Sequence, residues 1–207
     1  MDTTTTTHLN SLTGRPSNYI YRGKTVTNNG EWKVRVKHTT LESLVKGADL
    51  ENNLAFLAEI YPFFDPCCPQ HDYTVCDYLE VLDRMCDWFY PNLTRESGRE
   101  AIGRLLFEGR RKTAFGKIAL SALHVMGPQR LIMLAPRFFE TTEGVGHRTI
   151  KMVGPNQYCF SSRGVSGTYE EEVGAIKAAL EEAGAKNLKV EVEVLAPDSW
   201  DYHIKWS

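Results

Sequence analysis

Apolar positions along this chain recur first at helical spacing and then, in the last third, mostly at every second residue. The opening exception is EWKVRVK, residues 31 to 37, where Trp32, Val34 and Val36 alternate with Lys33, Arg35 and Lys37, predicting a half-buried strand. Thr39-x-x-Glu42 then has the form of a capping box. It predicts a helical region, interrupted near Gly47, that runs to Tyr61 before Pro62. Val75, Tyr78, Leu79, Leu82, Met85, Cys86 and Phe89 fall on one helical stripe that stops at Pro91. A further helix follows from near Thr94, with Ala101, Ile102, Leu105 and Leu106 inward, and ends by Gly109. Another carries Phe115, Ile118, Ala119, Ala122 and Met126 and ends at Gly127-Pro128.

Beyond that point the pattern reads as strand. RLIMLAPRFF, HRTIKMV and QYCFSS are successive candidates, separated by Glu143-Gly144 and Gly154-Pro155-Asn156. Thr168-x-x-Glu171 opens a helix with Val173, Ile176 and Leu180 inward and Gly184 at its C-terminal end. LKVEVEV places Leu188, Val190, Val192 and Val194 on one face, and YHIKW does the same for Tyr202, Ile204 and Trp206. The fold class expected is α+β: a helical part over about 39–127 packed on an antiparallel sheet part over about 129–207. Residues 1–30, rich in Thr, Asn and Gly without periodicity, are expected to form a flexible arm, leaving 31–207 as one domain.

Composition narrows the function without naming it. With 207 residues, 42% hydrophobic and 24% charged, the chain suits one domain with one sizeable core. A formal net charge of -2 offers no general attraction to nucleic acid or anionic lipid. MDTTTTTHLN lacks the charged and apolar regions of a secretory signal, and no 18 apolar residues run together, so a cytoplasmic protein without a membrane span is expected. In that compartment five cysteines predict free thiols or a metal site.

The densest set of candidate ligands is CCPQHDYTVC. Cys67, Cys68, His71 and Cys76 offer four metal-binding side chains, yet adjacent cysteines point apart and the spacing differs from paired C-x(2 to 4)-C zinc motifs. The reading preferred is a loop between helices, with Cys67 and Cys68 partly packed; zinc binding or thiol redox sensing is the alternative. Cys86 and Cys159 are expected on apolar faces. Arg104, Arg110, Arg111 and Lys112 form the centre of a local cationic excess suited to an acidic partner, or simply a solvated helix face. GRRKTAFGK has glycines too far apart for a phosphate loop and joins two helices. Glu170, Glu171 and Glu172 are accounted for by the helix dipole. No catalytic array of Ser, Cys, His and Asp can be assembled, and an enzyme is not expected.

Taken in order, the YP at 90 to 91, GREAIGRLLFEG, TAFGK, MGPQRLIMLAPRFF, GPNQYCF, EEAGA and YHIKW resemble the Myxococcus-type paralogous family of unknown function, over roughly two thirds of the chain. That family is similar in turn to the superfamily of haem-nitric-oxide-binding, 4-vinyl-reductase and transport-particle domains. The resemblance implies helices joined to a four-stranded antiparallel sheet with one helix between its hairpins. It also implies a small apolar ligand, a haem or an acyl chain held between helices and sheet, or a docking role, often in a dimer. Haem is disfavoured: His124, the histidine of the helix before the sheet, is expected to face solvent. The haem-binding Tyr-x-Ser-x-Arg pattern reads Cys159-Phe160-Ser161-Ser162-Arg163, with cysteine in place of tyrosine.

The function expected is a non-catalytic module that binds a small apolar ligand or a partner protein, in a sensory or regulatory role. Trp88, Phe89, Phe107, Phe115, Met126, Tyr158 and Phe160 are the expected pocket residues. No cofactor is expected; zinc is the alternative, haem the second.

Overall fold

A computed structural model describes residues 18–21, 24–27, 35–60, 63–64, 72–113, 116, 123–143, 146–165 and 168–207. Within the segment read as an arm, β1 (Asn18–Tyr21) and β2 (Lys24–Thr27) pair as an antiparallel hairpin. From EWKVRVK the described strand is β3 (Arg35–Lys37), which pairs with β4 (Asp72–Thr74). Between them come α1 (His38–Gly47), a 3-10 turn (Leu50–Asn52) and α2 (Leu54–Ile60). The capping box expected at Thr39 does not form, because the chain leaves β3 straight into α1 with Lys37 as N-cap. Glu42 instead meets Lys46 at 2.7 Å.

The helix α3 (Val75–Phe89) carries a reciprocal capping box between Thr74 and Asp77 and is buried on most of its circumference. Thr94 caps α4 (Arg95–Lys112), whose last turn is basic, as the dipole favours. α4 is the axis of the molecule. A Cβ on Gly109 would sit 1.6 Å from the Ser43 carbonyl oxygen of α1, and one on Gly103 would sit 1.9 Å from that of Glu171. Two helix backbones can therefore touch α4 only because it offers hydrogen where other residues carry carbon.

The run RLIMLAPRFF, expected as a strand, is helical. It lies within α5 (Leu123–Glu143), which is interrupted at Gly127, where φ is 71° and ψ 167°. Pro128 opens the next helical turn, where its missing N–H costs nothing. A short, nearly continuous apolar run does not announce its period. Packing settles it, with Leu131, Ile132, Ala135, Phe138 and Phe139 turned toward protein and Met133, Leu134 and Arg137 exposed.

The sheet is four-stranded and antiparallel, in the order β5 (His147–Gly154), β6 (Gln157–Arg163), β8 (Ser199–Lys205), β7 (Lys189–Ala196). Two hairpins lie side by side, joined along β6 and β8 from Gln157 opposite Lys205 to Arg163 opposite Ser199. The helix α6 (Tyr169–Glu182) connects them, with Thr168 as N-cap and a left-handed Gly184 closing its C-terminus. Tyr158, Phe160, Ser162, Trp200, Tyr202 and Ile204 face inward and are buried. β7 is covered less than its alternation predicts, and Val194 is 44% exposed on this edge strand. Cys159 is not on the apolar face either. It stands half-exposed on the outer side of β6, within 3.9 Å of Ser161 Oγ.

Two separate hydrophobic cores result. The first joins α1, α2 and α3 to one side of α4; the second joins the sheet, α5 and α6. Among the described residues no helix is long and apolar enough to cross a membrane.

Candidate functional site

The far end of α4, the inner face of α5 and the second half of α6 line a half-open cavity of about 210 Å³. α6 contributes Ala175, Ile176, Ala179 and Leu180, small enough on two positions to leave a hollow. α5 contributes Leu131, Ile132, Ala135, Phe138 and Phe139, with Leu134, 41% exposed, at the mouth. α4 contributes Phe107 and Arg110. Arg110 is the one charged side chain among the described lining residues. It is only 8% exposed, and its guanidinium carbon lies 5.1 Å from the Phe138 ring centre.

Below the cavity sits a polar network inside the second core. Glu172 accepts hydrogen bonds from Arg148 Nη2 at 2.7 Å, Trp200 Nε1 at 3.1 Å, Ser162 Oγ at 3.4 Å and the Tyr202 hydroxyl. Burial, with the Glu172 carboxylate next, holds the Tyr202 phenol well above its usual pKa, so it stays a donor. Arg148 in turn lies 4.7 Å from the Phe139 ring, which meets Phe160 at 5.7 Å, and Phe160 stacks on Tyr202 at 5.7 Å. A group filling the cavity thus presses on rings that continue to the sheet. One residue earlier on α6, Glu171 accepts from the Tyr78 hydroxyl of α3 at 2.5 Å, tying the two cores together.

The expected pocket residues are dispersed. Phe107 and Met126 line the cavity. Phe160 is buried beneath it, and Tyr158 stacks on Trp206 at the end of the sheet. Trp88 and Phe89 belong to the other core, against Phe56, with Trp88 46% exposed. Phe115 lies outside the described residues. What the sequence reading missed is the α5 wall, lost with the strand assignment. The 131, 135, 138 spacing was the available signal.

The basic cluster divides. Arg104 makes a double contact with Glu181 at 2.6 and 3.1 Å. Arg111 reaches Glu182 at 3.3 Å, and Lys112 donates to the Lys46 carbonyl at 2.7 Å. Only Arg110 of the four turns to the cavity. Of the candidate metal ligands, Cys67, Cys68 and His71 lie outside the described residues. Cys76 is buried in the first core, and burial, with Asp77 adding to it, pushes its thiol up to about 11, too high for a thiolate at neutral pH. Cys86 is likewise buried and raised by burial. Among the described residues no three His, Cys, Asp or Glu side chains are placed to hold a metal ion.

Helices packed over one side of a β5-β6-β8-β7 sheet define the H-NOX fold. A mutant H-NOX protein from S. oneidensis in the Fe(II) ligation state aligns over 83% of this chain and 96% of its own, with a TM-score of 0.64 at 11% identity. An oxygen-binding H-NOX domain related to soluble guanylate cyclases, in its oxygen complex, aligns over 82% and 92%, with a TM-score of 0.61 at 12% identity. A structure addressing heme distortion in the H-NOX family gives 0.62 at 12% identity over 83% and 95%. No curated protein matches the chain. The chain belongs to the family described as Protein of unknown function (DUF2378), whose profile matches residues 65–207. The order of motifs in the sequence had implied both the family and the fold.

That fold raises haem, and the described residues do not fit one. Among the described lining residues there is no imidazole, thiol or phenol, and their one sulfur, the Met126 thioether, is of a kind that serves as an axial ligand in cytochromes beside a histidine. Cys159, Ser161 and Arg163, at the positions of the haem pattern, are on the outer face of the sheet. Arg163 is engaged there by the Trp200 carbonyl at 2.8 Å and Asp201 at 2.6 Å. The backbone of His124 is in the first turn of α5, and its side chain lies outside the described residues.

Proposed function

We propose that this protein is a non-catalytic ligand-binding module, sensory or regulatory in role, whose binding site is the cavity between α4, α5 and α6. The observation that carries this reading is the cavity itself. The hollow, of about 210 Å³ and open on one side, is walled among the described residues almost wholly by carbon, so it leaves apolar surface uncovered that a guest would cover. An apolar engineered cavity of about 150 Å³ already takes a benzene-sized guest. A bound ligand would favour one setting of α5 against α4 and α6. Phe139 and Phe160 would carry that preference to the sheet, where a partner protein reads it.

Native mass spectrometry of the purified chain tests this. We expect a co-purifying small organic molecule, or a rise in melting temperature with 1-octanol or octanoate, both abolished by Ala135→Trp. Absence of any bound species together with no response to either compound overturns the reading. Two competing readings have their own measurements. A Soret band lost in His124→Ala would establish haem, and stoichiometric zinc lost on replacing Cys67 and Cys68 would establish the metal sensor.

A further inference from the structure

The two edges of the sheet carry what its centre does not. Met152 and Val153 on β5, and Val194 and Leu195 on β7, are large apolar side chains left exposed on strands that have a neighbour on one side only among the described residues. Edge strands are commonly blunted by charges that repel a further strand. Here the two edges differ in sign. Lys151 stands in the exposed row of β5 and Glu191 in that of β7, and neither makes an ion pair among the described residues. Each edge therefore repels a copy of itself and attracts the other.

The geometry points to head-to-tail association with a second copy of this chain, in which β5 of one molecule extends the sheet beyond β7 of the next, with Lys151 opposite Glu191. This contact is independent of the cavity between α4, α5 and α6. Within the sheet Lys151 stands opposite Cys159, Cys159 opposite His203 and His203 opposite Glu191, so one outer-face row crosses all four strands. A fifth strand antiparallel to β7 continues that row, and β5 has the direction required. Hydrogen bonding alternates along a strand, so an in-register ladder leaves outward-pointing backbone groups on residues of the same parity at both edges. Pairing Lys151 with Glu191 brings those groups together. It also sets Ile150 opposite Val192 and Met152 opposite Val190 on the inner side.

Other pairings fit worse. Register shifts beyond Met152 and Val194 confine the regular ladder to residues 147–152 and 189–194. Sliding the added strand to the other register of equal overlap sets Lys151 against Lys189. Joining β7 to β7 puts Glu191 opposite Glu191 or Glu193, and joining β5 to β5 offers Lys151 no acid. The assembly is thus heterologous and open, unlike a two-fold dimer. A sheet twist of about 20–25° per strand turns successive copies by about 80–100°, which carries each helical layer away from the next.

Sedimentation velocity of the full chain from micromolar to submillimolar concentration tests this. We expect the weight-average coefficient to rise past that of a dimer and to fall with added salt, which screens exposed pairs. Lys151→Glu and Glu191→Lys should each weaken association about 10-fold, the scale of turning one cross-strand attraction into a repulsion. An equimolar mixture of the two variants should recover it, because each offers the charge that the other lacks. Both positions are exposed, so circular dichroism should show the native fold. Should either variant not fold, Lys151→Gln and Glu191→Gln are measured instead, with a smaller loss expected. A native chain that stays monomeric throughout, a mass that stops at the dimer, or variants that associate like the native chain overturns the proposal. A mixture no more associated than its separate parts does the same.

Discussion

The two cores of this molecule are built on different principles. The first, under α1, α2 and α3, is mainly hydrocarbon and thiol, with Leu41, Leu44, Leu50, Phe56, Ile60, Leu79, Leu82 and Met85 almost wholly enclosed beside the Tyr73 and Tyr78 phenols. The second encloses Trp200, Tyr202 and Phe160 together with an arginine, a glutamate and a hollow. Apolar packing alone tolerates exchange of shapes, whereas a buried ion pair joined by further donors to the same carboxylate fixes one arrangement. The difference teaches where specificity was spent: the half that carries the cavity is also the half whose strands are pinned from within.

Removing the pin should have the largest effect. Glu172→Ala strands the Arg148 guanidinium and three further donors in the second core and should cost about 3–5 kcal/mol in urea unfolding. The double replacement Arg148→Met with Glu172→Leu should recover only part of this, because Trp200, Tyr202 and Ser162 would still lack an acceptor. Full recovery would show that the pair, rather than the network, matters.

Pushing the cores apart comes next. Gly103→Ala drives a methyl group into the Glu171 carbonyl, a backbone atom that cannot swing away, and should cost about 1–3 kcal/mol. The thermal midpoint checks this, and an unchanged midpoint would mean that α4 and α6 slide freely. Tyr78→Phe removes a hydroxyl that crosses between the cores and should cost about 1–2 kcal/mol. Separate unfolding steps in this variant, seen by tryptophan fluorescence and by hydrogen exchange, would sharpen the comparison into two cooperative units.

The smallest effect lies on the surface. Arg104 holds the Glu181 carboxyl below its usual range through their hydrogen bond, although both side chains are well exposed. A folded pKa below the unfolded one adds stability above the unfolded value of about 4.3 and loses it as pH falls through the folded value. Arg104→Ala should therefore lower stability by less than about 1 kcal/mol at pH 7, with the difference shrinking as pH falls below the unfolded value. Urea titrations on either side of that value measure it.

Much of the fold was legible along the chain. Tyr202, Ile204 and Trp206 lie on the buried side that their alternation predicts, and Thr94 and Thr168 cap the helices they announce. The site was less so. Met126 was expected inward from its spacing and Phe107 was named only among the aromatics expected near a pocket, and both line the cavity; Arg110 appeared only as one of a basic set, since nothing local distinguishes an inward arginine from its exposed neighbours. Glu172 looked like an acid answering a helix dipole, while its acceptor role depends on Arg148, Trp200 and Tyr202, which reach it from β5 and β8.

What the sequence by itself determined was therefore the family, the α+β class and the inner face of the second hairpin. The family followed from the order of its motifs; the class and the inner face depend on periodicity and local capping, which act between residues a few positions apart. Tertiary structure alone decided that RLIMLAPRFF is a helix, that Cys159 faces outward, that α4 is gripped between two backbones and that one arginine of four turns into a hollow. Each of these is a choice between conformations of similar local energy, and it is settled by contacts between residues far apart in the chain.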